Sequence, residues 1–438
     1  MKPEQLKKIL LSEIKSVSEK SDEYCMSSGK DFTRKRKLSF ETVIKTIIGM
    51  ESRSLTNEII NAFDANPNLP TTSAFVQQRC KIKAEAFKAV FDGFVSKIGK
   101  KNNSDIRILA VDGSDVQIAT NPEDPSSFHP GANGQKPYNL LHLNALFDLN
   151  QKIYTDAVIQ GSMDCDEHSA LQNMVDRSNI SKALVIADRG YESYNNMAHI
   201  QEKGWYFLIR IKDGTKGIKG GLILPDINEF DEDISLKLIR KQTKAVKELF
   251  KDRNHYRFVS STSTFDYLPL KSKKSEPVKF YTLNFRIVRF KVTEELYETV
   301  ITNLDVKDYP PNKLKELYAM RWGIETSFRD LKYTIGMLNF HSKKVMCIHQ
   351  EIYAHLIMYN FAEMITSHVV IEKKQKKYTY RANFSVAAHM CRLFYRGKTT
   401  SPNLEDIISK NTVPIRPDRH CERKIKAKVF RGFLYKTA

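Results

Sequence analysis

Tyr318, Arg321, Glu325 and Lys332 stand at offsets of three, seven and fourteen residues within the stretch 317–332. At about 100° per residue, an α-helix brings such positions inside an arc of roughly 60°. One helix face then carries a phenol, a guanidinium, a carboxylate and an ammonium. Alone, that stripe is equally a row of i,i+3 and i,i+4 pairs on a solvated helix. Two upstream aspartates change its meaning. Asp112 lies inside the β-branched run 106–119, and Asp188 closes the short apolar run 183–188. Two aspartates on neighbouring strands and a glutamate on a helix are what two-metal phosphoryl transfer needs. Such carboxylates hold two Mg²⁺ ions, or Mn²⁺ in their place, about 4 Å apart, one activating the attacking oxygen and one stabilising the leaving oxygen.

The elements that must position these residues follow from periodicity. Runs 106–119, 139–148 and 152–160 predict an antiparallel three-stranded meander. A helix over 167–177, a strand over 183–188, a helix over 194–203 and a strand over 205–211 follow. The order βββαβαβ, with an acid in the first strand and another ending the fourth, is the α/β layout of a ribonuclease H-like core. The acids are separated by 188 − 112 = 76 and 325 − 188 = 137 residues. The second interval is too long for a minimal fold. Four strand-like runs (234–241, 256–261, 278–290 and 297–303) make residues 213–301 a β-rich insertion. The stripe helix begins after Pro310-Pro311-Asn312, and 348–366 reads as a long apolar packing helix. The resulting organisation is a helical DNA-binding domain (1–104), a core in two parts (105–212 and 302–370) flanking the insertion (213–301), and a basic C-terminal region (371–438).

The formal net charge of +19 is unevenly spread. Residues 1–104 hold 19 Lys/Arg against 12 Asp/Glu, and residues 371–438 hold 17 against 5, a net of +7 and +12. The middle, with 34 of each, is neutral. Basic flanks around a neutral centre fit ends that grip a polyanion while the centre acts on it. A helix starting at Thr71-Thr72-Ser73 carries Gln77, Gln78, Arg79 and Lys81, side chains able to reach base edges or phosphates in a major groove. Nothing resembles a membrane span or a secretory leader, and six cysteines without a Cys-x-x-Cys pair fit a reduced, cytoplasmic setting. His389, Cys391, His420 and Cys421 match no standard zinc spacing.

Through Tyr318-x2-Arg321-x3-Glu325-x6-Lys332, with Asp188-Arg-Gly-Tyr191 and Val111-Asp112-Gly113, the sequence resembles the insertion-sequence-4 family of DDE transposases, the group that includes the transposon-5 enzyme. The resemblance covers roughly residues 30–370. It implies that Asp112, Asp188 and Glu325 bind the metals and that Tyr318, Arg321 and Lys332 contact DNA phosphates near the cut end. It also implies an enzyme of a bacterial mobile element. Such an enzyme binds terminal inverted repeats, frees 3′-OH ends, joins them to target DNA, and works as a homodimer on double-stranded DNA. Family members that form a hairpin intermediate extrude a base onto an aromatic of the insertion. Glu298 occupies the corresponding position here; the adjacent Tyr297 is the candidate substitute, although it reads first as a plain strand tyrosine. His168, in Asp166-Glu167-His168, resembles another stretch of the family and reads from sequence as a surface or capping residue. Trp322 reads as core. Two other readings share these features: a transposase-derived DNA-binding protein without catalysis, and a ribonuclease H-like nuclease without strand transfer.

Overall fold

The computed structural model describes residues 1–99, 106–131, 134, 136–214, 217–270, 276–371 and 379–415 of the 438. Part of the basic C-terminal region (372–378 and 416–438) lies outside the described residues, as does the stretch 271–275 between the expected strands 256–261 and 278–290.

Residues 1–99 are helical, as their periodicity predicts: α1 (Pro3–Glu19), α2 (Ser21–Tyr24), α3 (Phe40–Gly49), α4 (Leu55–Ala62), α5 (Thr72–Arg79) and α6 (Ala84–Ile98). Ser39, Ser54 and Thr71 cap α3, α4 and α5, each side-chain oxygen accepting from a backbone N–H of the first turn. Leu6, Leu10, Ile14 and Val17 form the buried face of α1.

The chain then builds β1 (Arg107–Ile118), β2 (Phe128–His129), β3 (Tyr138–Asp148), β4 (Ile153–Gly161), α7 (Glu167–Asp176), β5 (Ala183–Ala187), α8 (Tyr194–Glu202) and β6 (Tyr206–Arg210). Next come β7 (Phe230–Ile239), α9 (Lys244–Leu249), β8 (Tyr256–Phe258), β9 (Tyr281–Lys291) and β10 (Tyr297–Thr302). Helices α10 (Pro311–Ala319), α11 (Trp322–Asp330) and α12 (Val345–Thr366) precede β11 (Tyr380–Ala382), α13 (Phe384–Tyr395), α14 (Ser401–Lys410) and β12 (Thr412–Pro414).

Ten strands join one mixed sheet in the order β2-β3-β1-β5-β6-β10-β9-β7-β8, with β4 also paired to β3. The expected meander is present: β1 and β4 both run antiparallel to β3. β5 is parallel to both β1 and β6. Residues 213–301 are strand-rich, as expected. Their strands extend the same sheet, because β10 pairs antiparallel with β6 through Val300↔Arg210, Ile301↔Ile209 and Thr302↔Leu208. The apolar β6 is thereby spared from being an open edge.

Strand alternation divides the apolar side chains between two cores. Ala110, Leu184 and Ile186 belong to the core shared with α1, α3, α6, α12 and α13. Leu109, Val111, Val185 and Ala187 belong to the core under α7 and α8. Helix α12 is buried nearly all round, which explains its unbroken apolar character. Among the described residues, no helix is long and apolar enough to cross a membrane.

The helical N-terminal segment is fastened to α12 by a buried ion pair. Arg79, 1% exposed, sits 2.7 Å from Oε1 of Glu351 and donates to Oε1 of Gln350 at 2.9 Å. Nδ1 of His341 lies 3.0 Å from the other Glu351 oxygen. Burial would raise the Glu351 carboxyl, but Arg79 and His341 outweigh it and hold the group at about 2. Arg79→Ala strands that carboxylate, and we expect a loss of about 3–5 kcal/mol in urea unfolding. Arg79→Met combined with Glu351→Leu, which removes both charges, should cost much less.

Candidate active site

Asp112 shares its strand face with Ala110, and Asp188 continues the face of Leu184 and Ile186. Parity therefore sends both aspartates to the side of the sheet on which α11 packs, since Ile324 and Phe328 of α11 belong to the same core. Asp188 caps the one-turn helix Arg189–Tyr191, its Oδ1 accepting from the Gly190 N–H at 2.7 Å. Oδ1 of Asp112 accepts from the Gly113 N–H at 2.9 Å.

Arg321 stands between the first and third acids. Its Nη2 is 2.8 Å from Oε1 of Glu325, and its Nη1 is 3.9 Å from Oδ2 of Asp112. Burial pushes the Asp112 carboxyl up to about 6. The Gly113 N–H and Arg321 pull against that rise, while the charges of Asp188 and Glu325 add to it. The three acids thus act on one another electrostatically. Among the described residues, no three His, Cys, Asp or Glu side chains are close enough together to hold a metal ion.

The donor set nevertheless suits a divalent cation: hard carboxylate oxygens, partly buried and mutually repelling, which such a charge would relieve. Two orphaned donors lie beside it. The Tyr318 hydroxyl and Nε of Arg321 are buried without a hydrogen-bond partner among the described residues. Burial raises the Tyr318 phenol, so it remains a neutral donor. A phosphate oxygen would satisfy both groups.

The stripe does not sit on one continuous helix. Between α10 and α11 the backbone tightens, with Arg321 N–H bonding to Tyr318 O and Ile324 N–H to Arg321 O, both i→i−3. Beyond α11, residues Leu331–Ile335 form a π turn containing Lys332. Nζ of Lys332 donates to the Asp115 carbonyl at 2.7 Å, so it still reaches β1, three residues past Asp112. Trp322 is 53% exposed and packs on the Arg321 guanidinium at 4.9 Å, in contrast to its expected core position. The buried face of this stretch runs through Ile324, Phe328 and Leu331, and two residues of helix turn Trp322 away from it.

Two other expectations are corrected. Arg79, expected to reach DNA bases, is consumed by the buried pair with Glu351. α5 also ends at Arg79, so Lys81 lies beyond the helix and pairs with Asp31 at 3.4 Å. Gln77 is exposed and Gln78 is half-buried. Tyr297, the substitute stacking aromatic, alternates with Glu298 along β10 and shares its face with Ile301 of the α7/α8 core. The site lies on the other face, and Arg289 already covers the Tyr297 ring at 5.4 Å. It is Glu298 that occupies the site's face, paired with Arg210 at 3.2 Å.

His168 is neither a cap nor a free surface group. Nδ2 of Asn196 lies 2.7 Å from its Nδ1 and also donates to the Tyr191 carbonyl, tying α7 to the Asp188 turn. Its sequence signal was only the resemblance of Asp166-Glu167-His168 to a stretch of the family, which carries no partner for the ring.

Residues 103–361, more than half of the chain, match the transposase DDE domain family, and the chain belongs to that family. All three acids fall inside the match. The chain is similar to the transposase InsG of insertion sequence element IS4 from Escherichia coli (strain K12). It is 21% identical to it over 349 residues, covering 76% of this chain and 71% of the relative. Among solved structures, the piggyBac transposase synaptic complex with hairpin DNA aligns over 93% of this chain and 85% of that one. The identity there is 10% and the TM-score 0.45.

A raised carboxyl penalises the folded state wherever it is ionised. For Asp112 the penalty is present above about pH 6, shrinks as pH falls, and vanishes below the ordinary Asp value. Asp112→Asn should therefore stabilise the metal-free protein by about 1–3 kcal/mol at pH 8. That advantage should be gone near pH 4, as read by thermal unfolding in EDTA.

Proposed function

We propose that this chain is a DNA transposase: it binds the terminal inverted repeats of an insertion sequence, cuts to free 3′-OH ends, and joins them to target DNA. What supports this reading is the placement of Asp112 on β1 and Asp188 at the end of the adjacent parallel β5, on the side of the sheet where α11, which carries Glu325, packs. The run of strands β4-β3-β1-β5-β6, with Asp112 on the central β1 and Asp188 just past the end of its neighbour β5, supports a ribonuclease H-like core. Similarity to a transposase of an insertion sequence element supports the substrate class.

Asp112, Asp188 and Glu325 would hold two Mg²⁺ ions, or Mn²⁺, which when bound supply activation of the attacking oxygen and stabilisation of the leaving one. The protein's own residues do the rest. Arg321 leaves Glu325 and clamps a phosphate with its planar fork, and Tyr318 adds an uncharged donor beside it. Lys332, held on the Asp115 carbonyl, contributes a cation along the same strand. Outside the core, the exposed Gln77 of α5 faces DNA from the helical N-terminal segment, and the basic C-terminal region adds phosphate contacts. Cutting takes place in a DNA-bound homodimer in the cytoplasm.

The direct test is a nicking assay with Mg²⁺ and duplexes carrying the repeats that flank the coding region. Asp188→Asn and Glu325→Gln should each slow release of 3′-OH ends by about a hundredfold or more while still shifting the DNA in EDTA. Nicking by Asp188→Asn at the parental rate removes the proposal.

The flanking charge has its own test. Residues 416–438 hold 8 Lys/Arg and 2 Asp/Glu, a net of +6. Their deletion leaves α13 in the core, whereas removing all of 371–438 would strip it away. The truncated chain should bind DNA more weakly, with a shallower fall of log K against log salt. An unchanged slope would show that the tail makes no phosphate contacts.

A further inference from the structure

On the opposite face of β1 from Asp112, a second set of charged side chains meets. Asp115 is in register with His142 across the β1–β3 pair, and Nδ1 of His142 lies 2.9 Å from Oδ1 of Asp115. The other ring nitrogen, Nε2, lies 3.0 Å from Oε1 of Glu167, the first residue of α7. A ring with a carboxylate at each nitrogen is an imidazolium. Burial opposes that charge, but hydrogen bonding to Asp115 and Glu167 outweighs it and lifts His142 to about 9.

This clamp fills the space beside Gly113. A β-carbon there would lie 2.1 Å from Nε2 of His142 and 2.7 Å from Oε1 of Glu167. The other Glu167 oxygen would lie 3.9 Å from a β-carbon on Gly190, an ordinary van der Waals contact. These two glycines are the residues whose N–H groups donate to Asp112 and Asp188. The glycines of Asp112-Gly113 and Asp188-Arg189-Gly190 thus flank one carboxylate.

We propose that Glu167, clamped by His142, is a positioning residue: packed on Gly113 and Gly190, it holds the two peptides that orient Asp112 and Asp188. The role rests on the transposase reading, in which those aspartates hold the metals. Glu167 acts by shape, with Oε1 held 3.0 Å from Nε2 of His142, and touches no substrate. Gln at this position keeps the shape and can still accept from the imidazolium; Ala keeps neither.

The test compares the full chain with Glu167→Ala, Glu167→Gln and His142→Ala by three readouts: Mn²⁺ affinity from electron paramagnetic resonance, nicking rate against DNA concentration, and amide exchange over 109–116 and 186–193. Glu167→Ala and His142→Ala should lower Mn²⁺ affinity and the maximal nicking rate by about 10–100-fold. KM for DNA should hold, and exchange should quicken in both segments. Glu167→Gln should recover most of the loss. A Glu167→Ala variant with parental Mn²⁺ affinity and exchange overturns the positioning role, as does a Gln variant no better than Ala, which would make the charge itself the active feature. A parental chain that binds no Mn²⁺ and nicks no DNA overturns the transposase reading, and the positioning role with it.

Discussion

Asp112 is a carboxylate held largely away from water, with the charges of Asp188 and Glu325 adding to the cost, and the arrangement of the site depends on how that cost is contained. In the structure the containment is Arg321. Its guanidinium lies against Glu325 and within 3.9 Å of Asp112, and Asp112 is still pushed up to about 6. A fold that tolerates such a cost gains nothing in stability from it. The arrangement makes physical sense where a stronger cation replaces Arg321 at the acids and the guanidinium passes to a phosphate.

The rest of the architecture holds this frustrated site still. Parity on β1 and β5 gives each aspartate one face, while the residues beside them anchor in the core under α7 and α8. Helix α12 and the N-terminal helices close the site's own side, locked by the buried Arg79–Glu351 pair. The strands of 213–301 widen the sheet beyond β6, and they bring Glu298 onto Arg210 of β6, near Tyr318. Tyr318 and the three acids thus neighbour one continuous sheet.

Much of this was legible in the chain itself. The β-branched run around Asp112, the short apolar run ending at Asp188 and the spacing from Tyr318 to Lys332 located the acids and their neighbours, because period and composition are local properties. Long-range pairing is not local. Nothing near Arg79 announces a partner 272 residues away at Glu351, so a buried guanidinium looked like a DNA-reading one. The pairing of β10 with β6 was hidden for the same reason, and with it the face on which Tyr297 falls. The tightened turn at Arg321 and the π turn at Lys332 escaped an ideal helical wheel, which also left Trp322 misplaced. Gly113 was read as part of a motif. Its reason, the His142–Glu167 pair pressed against its α-carbon, is visible only in three dimensions.

The most direct measurement is an anomalous-scattering map of the chain crystallised with Mn²⁺ and a duplex ending in the element's repeat. Manganese peaks flanked by Asp112, Asp188 and Glu325, with Arg321 turned from Glu325 onto a DNA phosphate, are the predicted result. Manganese bound elsewhere, or Arg321 still paired with Glu325 while DNA occupies the site, would contradict it.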